Sequence, residues 1–187
     1  MTDPANPGVR VDEPLLVAPI DDAPLAPAGP TDDERLRAYA DELADGIVAA
    51  LGPWVERSVA HILDAWQPDA SVADVARRDA RAAGDRATAA IGPDVRALLA
   101  TDVDAQRTSP LAIVREAVRY PTEVLAAAGA PHVRRDEFAE RAFPSDVYGL
   151  SPATFSDLDP ALHGPGLSWG AAKAHIVLTR RRAEGLR

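Results

Sequence analysis

With 187 residues, 47% of them apolar, the chain can bury one domain-sized core. It has no cysteine, which excludes disulfide scaffolds, thiolate metal sites and cysteine nucleophiles. The formal charge of −9 is concentrated in the first 34 residues, where eight acids stand against one base, Arg10; the rest is almost neutral, and a pI near 4.9 argues against a nucleic-acid binder.

Residues 1–30 hold seven of the 17 prolines. Proline removes backbone donors and stops helices, and the acids add repulsion, so a disordered acidic arm is expected. Inside it, "VDEPLLVAPI" (11–20) is an apolar island between acids and reads as a linear motif or a weakly clinging tail. No basic stretch followed by an apolar run opens the chain, so no signal peptide is expected, and the longest apolar runs are too short to span a bilayer. The expectation is a cytoplasmic protein with no membrane association.

From Thr31 onward the pattern is helical, and residues 31–187 read as a single domain. "TDDE" sets Thr31 as N-cap with Glu34 as its capping-box partner. Leu36, Tyr39, Leu43, Ile47 and Ala50 follow at helical spacing, and Trp54, Val55, Ile62 and Trp66 continue the stripe. Gly52-Pro53 between them allows either one kinked helix or two. A second helix is predicted over about 72–91, opened by Ser71 and Asp74, with Val72, Val75, Ala76, Ala80, Ala83, Ala87 and Ile91 inward. So narrow a face demands close helix–helix approach. Asp74/Arg78 and Arg81/Asp85 read as solvent-facing i,i+4 pairs.

Gly92-Pro93 repeats the junction, and "AAIGPDVRALL" (89–99) echoes "AALGPWVERSV" (49–59); two similar helix ends explain this better than a duplicated unit. Ser109-Pro110 opens a helix with Leu111, Val114, Val118, Leu125 and Ala128 inward and Pro121 as a kink or break. Residues 132–143 read as a short amphipathic helix anchored by Val133, Phe138 and Phe143.

The segment 144–168 is rich in turn residues and aromatics, with Ser151-Pro152 and Asp159-Pro160 as N-cap/N1 pairs. It is expected to wrap the helical body through Tyr148, Leu150, Phe155, Leu158, Leu162 and Trp169, and a last helix over about 169–182 ends in Arg180, Arg181 and Arg182. The fold class is therefore all-α: an irregular multi-helix bundle with an acidic arm and a turn-rich C-terminal wrap.

Chemistry is sparse. Gly166-Leu167-Ser168-Trp169-Gly170 matches G-x-S-x-G, but a nucleophile elbow needs a strand before the serine. "DPALHGPGL" cannot form one, and the only later acid, Glu184, lies beyond the only later histidine, His175. Ser168 reads as an N-cap. His132, Asp136 and Glu140 share a face if 132–143 is helical, a weak metal pattern better explained as a helix start. Neither phosphate-loop motif occurs, and no cofactor is expected.

The leading expectation is a non-enzymatic interaction or scaffolding protein whose partner is another protein, with self-association through its Ala-rich helices as one form. The alternative is an anion- or small-molecule-binding regulatory domain using His163, Trp169, Lys173, Arg180, Arg181 and Arg182; the candidate ligand- or partner-contacting residues are these together with Tyr148, Phe155 and His175. A third is an enzyme built on His132, His163 and His175.

Overall fold

The computed structural model describes residues 32–98, 110–164, 182 and 185, and these form helices and turns with no strand among them. The helices are α1 (Asp32–Trp66), α2 (Ala70–Ala97), α3 (Pro110–Arg115), α4 (Arg119–Ala128) and α5 (Glu137–Ala142). Among the described residues no helix is long and apolar enough to cross a membrane.

Both Gly-Pro pairs lie inside helices, not between them. Proline disfavours helical geometry in the preceding residue partly by clashing with that residue's Cβ, and glycine has none. Pro53 and Pro93 are exposed, as are Ala49 and Ala89, whose carbonyls lose their helical donors, so water can satisfy them. α1 is thus one helix, and α2 runs on past the predicted end at 91. Pro121 behaves differently because it is buried: the chain tightens into a 3₁₀ turn, Glu116–Val118, just ahead of it.

α1 and α2 are joined by Gln67-Pro68-Asp69, with Gln67 in the left-handed region at φ 54°. Asp69 is the N-cap of α2, two residues before the predicted Ser71. The two helices run antiparallel, as their cross-pairs show: Arg96 with Asp45 at 3.2 Å, Arg81 with Glu56 at 3.7 Å and Arg77 with Asp64 at 3.9 Å. Arg81 therefore pairs across to α1 and not with Asp85, and Asp74 takes Arg77 at 3.6 Å.

The core is one cluster. α1 supplies Leu43, Ile47, Leu51, Val55, Val59 and Leu63, all fully buried or nearly so. Burying each such side chain contributes about 1.5–3 kcal/mol. Facing them is an almost pure alanine stripe on α2: Ala73, Ala76, Ala80, Ala83 and Ala87, extended by Ile91 and Val95. The predicted inward face was rotated slightly from this, because Val75 is 46% exposed. Tyr39, predicted inward on α1, is likewise 51% exposed, and Ala40 takes the buried position. The closest approach is Gly84 against Gly52: a Cβ on Gly84 would stand 2.8 Å from the Gly52 carbonyl oxygen and 3.0 Å from its Cα. α4 packs against both long helices and ends at Gly129 (φ 83°), where Ala130 N–H donates to the Leu125 carbonyl and Gly129 N–H to that of Ala126, closing a Schellman turn.

The predicted helix over 132–143 is shortened to α5, and none of its residues is buried. Phe138 is 75% exposed and Val133 44%, so neither is the expected anchor; Phe143 is half-buried, under the Arg115 guanidinium at 5.0 Å. The "HVRR" stretch lies outside the helix, whose start is fixed where Asp136 caps α5 by accepting from Ala139 N–H at 2.7 Å.

The glycine contact makes a prediction. Gly84→Ala forces α1 and α2 apart, since the obstructing atoms are backbone, and lowers stability by about 2–3 kcal/mol. Gly52→Ala meets only ordinary contacts, the nearest being Thr88 Oγ1 at 3.5 Å. It costs at most about 1 kcal/mol, because better helix propensity offsets the pre-proline clash. Urea melts of the two variants should show this asymmetry.

Candidate functional site

Residues 144–164 lie over the helices and hold a network of side-chain-to-backbone hydrogen bonds. Asp146 is 3% exposed, and its carboxylate accepts from Leu150 N–H and Ser151 N–H, each at 2.7 Å. This folds the turn at Gly149 (φ 70°). Ser151-Pro152 therefore starts no helix; it is part of that turn, and the Pro152 carbonyl accepts from Arg115 Nε at 3.1 Å. Further on, Asp157 accepts from the backbone N–H groups of Ala153 and Thr154, each at 2.8 Å, and Arg57 of α1 donates to the Leu158 carbonyl. Asp159 does cap the next turn, accepting from Ala161 N–H at 2.9 Å with Pro160 behind it. The Thr154 N–H foremost, with that of Ala153, holds the Asp157 carboxyl below its ordinary value, while partial burial acts the other way.

The sequence-predicted site residues divide. Tyr148 is buried; its hydroxyl donates to the Ala130 carbonyl at 3.2 Å, its ring meets His132 edge-on at 5.4 Å, and burial pushes its phenol up. Phe155 is half-buried against the core. His163 is exposed, with Nδ1 at 3.3 Å from Ser156 Oγ. Arg182 is exposed and helical, whereas Trp169, Lys173, His175, Arg180 and Arg181 lie outside the described residues. So do the acidic arm, the Thr31 cap, Ser109 and the G-x-S-x-G stretch. His132 is not helical, so it shares no helix face with Asp136 and Glu140, and the metal pattern dissolves. Among the described residues no three His, Asp or Glu side chains group closely enough to hold a metal ion.

A cleft of about 530 Å³ lies between α1 and the wrap, with Trp54, Arg57, Ser58 and His61 along one side and Gly149–Ala153 and Asp157 along the other. The four α1 residues stand at i, i+3, i+4 and i+7, one stripe of the helix. Its charged groups are already engaged: Arg57 holds Leu158, and Asp157 holds Ala153 and Thr154. The cleft is a polar joint between wrap and bundle.

Another concave surface is different in kind. Between α2 and α4 runs a groove of about 330 Å³ whose apolar walls are Val72, Val75 and Ala76 on one side and Val124, Ala127 and Ala128 on the other, with Ser71 and Asp79 at its edge. It continues into a second hollow of about 200 Å³ flanked by Asp79, Ala82, Arg86 and Glu123. No described residue spans it. The sequence carried a signal for this surface: positions 72, 75, 79, 82, 86 and 89 alternate by three and four, one register off the buried alanine stripe. The helical period alone places Val72 and Val75 with the core, and Asp79, Ala82 and Arg86 belong to no motif that marks them.

No family model, curated protein or solved structure matches the chain.

Two measurements test the wrap. Asp146→Ala leaves the Leu150 and Ser151 N–H groups without their acceptor and should lower stability by about 2 kcal/mol, with new protease cleavage within 144–164. The Asp157 carboxyl is depressed on folding, so its contribution is complete above the ordinary carboxylate range and fades as pH falls through the folded value. Protease sensitivity of the wrap should therefore rise below about pH 4, and Asp157→Asn should abolish that dependence.

Proposed function

We propose that this chain is a non-enzymatic protein-interaction module, scaffolding or regulatory in role, and that its contact surface is the groove between α2 and α4. The observation that carries the reading is the apolar wall left uncovered there, with Val75 46% exposed beside Val124 and Ala127. One exposed valine means little on its own, since folded surfaces are more than half apolar. Here it forms part of a trough between two packed helices, a shape that receives the apolar side of an amphipathic helix through anchors at i, i+3 or i+4, and i+7. The floor is built from alanine and valine, so an incoming helix can approach closely. The occupant in this reading is such a helix from another chain.

Support also comes from how the polar residues are used. Arg57, Arg115, Asp146 and Asp157 all bind backbone groups of the wrap, so these charged groups, Arg57 and Asp157 in the cleft among them, serve architecture. At the groove edge Asp79 and Arg86 stand beside apolar surface without such duties.

The test is site-specific photo-cross-linking in the full chain, with the photoreactive residue at Ala127 in the groove or, as control, at Asp64 on the exposed side of α1. The expected result is one defined adduct from position 127, absent from position 64, and lost when Val75→Asp places a charge on the wall. Because position 75 is exposed, that variant should keep its helicity. Equal adducts from both positions, or an adduct indifferent to Val75→Asp, would remove the groove from the account.

A further inference from the structure

We infer that the helix received by this surface is α2 of a second copy of the same chain, the two helices crossing antiparallel about a two-fold axis beside Ala82. This rests on the groove reading above. The shoulder of α2 at 72, 75, 79, 82, 86 and 89 has the three-four spacing of a helix–helix seam, and its residues are Val72, Val75, Asp79, Ala82, Arg86 and Ala89. From Val75 onward all are exposed. The small residue sits at the centre, where two helices must approach most closely.

Charge fixes the orientation. Asp79 and Arg86 are seven residues apart, two turns along one side of the helix, at equal distances from a point beside Ala82. Among the described residues neither forms an ion pair, which is equally true of Asp85 and Asp94 on the same helix, so what singles out Asp79 and Arg86 is their symmetric spacing about Ala82. An antiparallel two-fold pairing sets Asp79 of each copy beside Arg86 of the other, twice over. Parallel pairing would set aspartate against aspartate and arginine against arginine. The same register brings Val75 of each copy to Ala89–Ala90 of the other. An isologous contact of this kind uses one patch on both partners and closes on itself, so it gives a dimer and no filament.

The measurement is sedimentation equilibrium of the full chain over a wide concentration range, for wild type, Asp79→Arg, Arg86→Asp and the double variant. Wild type should dimerise. Each single reversal creates like-charge contacts at both ends of the seam and should weaken association by roughly tenfold or more. The double reversal restores opposite charges across the axis and should recover the wild-type constant. Circular dichroism should find all four equally helical, since both side chains are exposed. A wild type that stays monomeric overturns the inference, and so does a dimer indifferent to the reversals or not rescued by the double. A monomeric wild type whose position 127 still cross-links a different protein sinks self-pairing and leaves the groove reading standing. Failure of both experiments removes both.

Discussion

The contact on which the rest of the structure depends is the one between Gly52 and Gly84. With no Cβ on either residue, the backbones of α1 and α2 come within a distance that a methyl group on Gly84 would violate. Everything else about that interface follows from the distance. Only alanine fits along the facing stripe of α2, whereas the larger Leu, Ile and Val side chains of α1 reach past α2 into the space shared with α4. A core with so few bulky residues on one of its two longest helices stays free of voids only if the helices lie close. Gly46 and Gly92 repeat the device at lower stakes, since their Cβ positions would meet the side chains of Leu162 and Val48 and not backbone.

Close helices bury little apolar area per residue, and the wrap answers this with polar fixings. Its apolar pins are Tyr148, Leu158 and Leu162, but the chain between them is held by arginine-to-carbonyl and carboxylate-to-amide bonds. A turn-rich segment exposes backbone groups that no regular ladder can satisfy, so side chains must do it. Arg57 and Arg115 reach out from the helices to accepting carbonyls; Asp146 and Asp157 gather donors from within the wrap. The aspartates order the segment locally, and the arginines fix it to the bundle. Asp146 can be buried because each of its carboxylate oxygens accepts from a backbone donor of one turn.

How much of this was legible in the sequence depended on the kind of signal. The all-α class was, because the 3.6-residue period recurs along α1, α2 and α4 and strand alternation is missing. The Gly-Pro pairs were misleading: the usual sense of glycine after a helix and proline at the next start suits many junctions, but glycine before proline also relieves the clash that would stop a helix. Which applies turns on whether the freed carbonyl faces water, and that requires the position of the other helices. The stretch 132–136 misled in another way, since its period fitted a helix but the Asp136 cap fixes the start at Glu137. The pairings of Arg57 and Arg115 span 101 and 37 residues and have no local trace in the sequence. Of the sequence-chosen site residues, Tyr148 and Phe155 serve the packing of the wrap, and the groove was missed because the helical period divided Val72 and Val75, placed with the core, from Asp79, Ala82 and Arg86, which belong to no motif.

That division is what gives α2 its interest. A helix packed on one side usually grades from apolar to polar around its circumference. On α2 the buried stripe is complete without Val72 and Val75, and the register beside it has a pattern of its own, with small residues between opposite charges at a two-turn interval. Valine on an exposed helical position brings a χ1 restriction without the packing that would offset it. Asp79 and Arg86 gain nothing from each other at that separation within one chain. Both observations make sense if the shoulder is read against a second helix, and neither is needed for the fold of the first. The face of α2 that holds the monomer together and the face proposed for pairing are therefore adjacent but separate, with Ala83 and Gly84 turned to α1 and Ala82 turned away. A substitution at Asp79 or Arg86 can thus report on association without touching the Gly52–Gly84 contact that holds the monomer together.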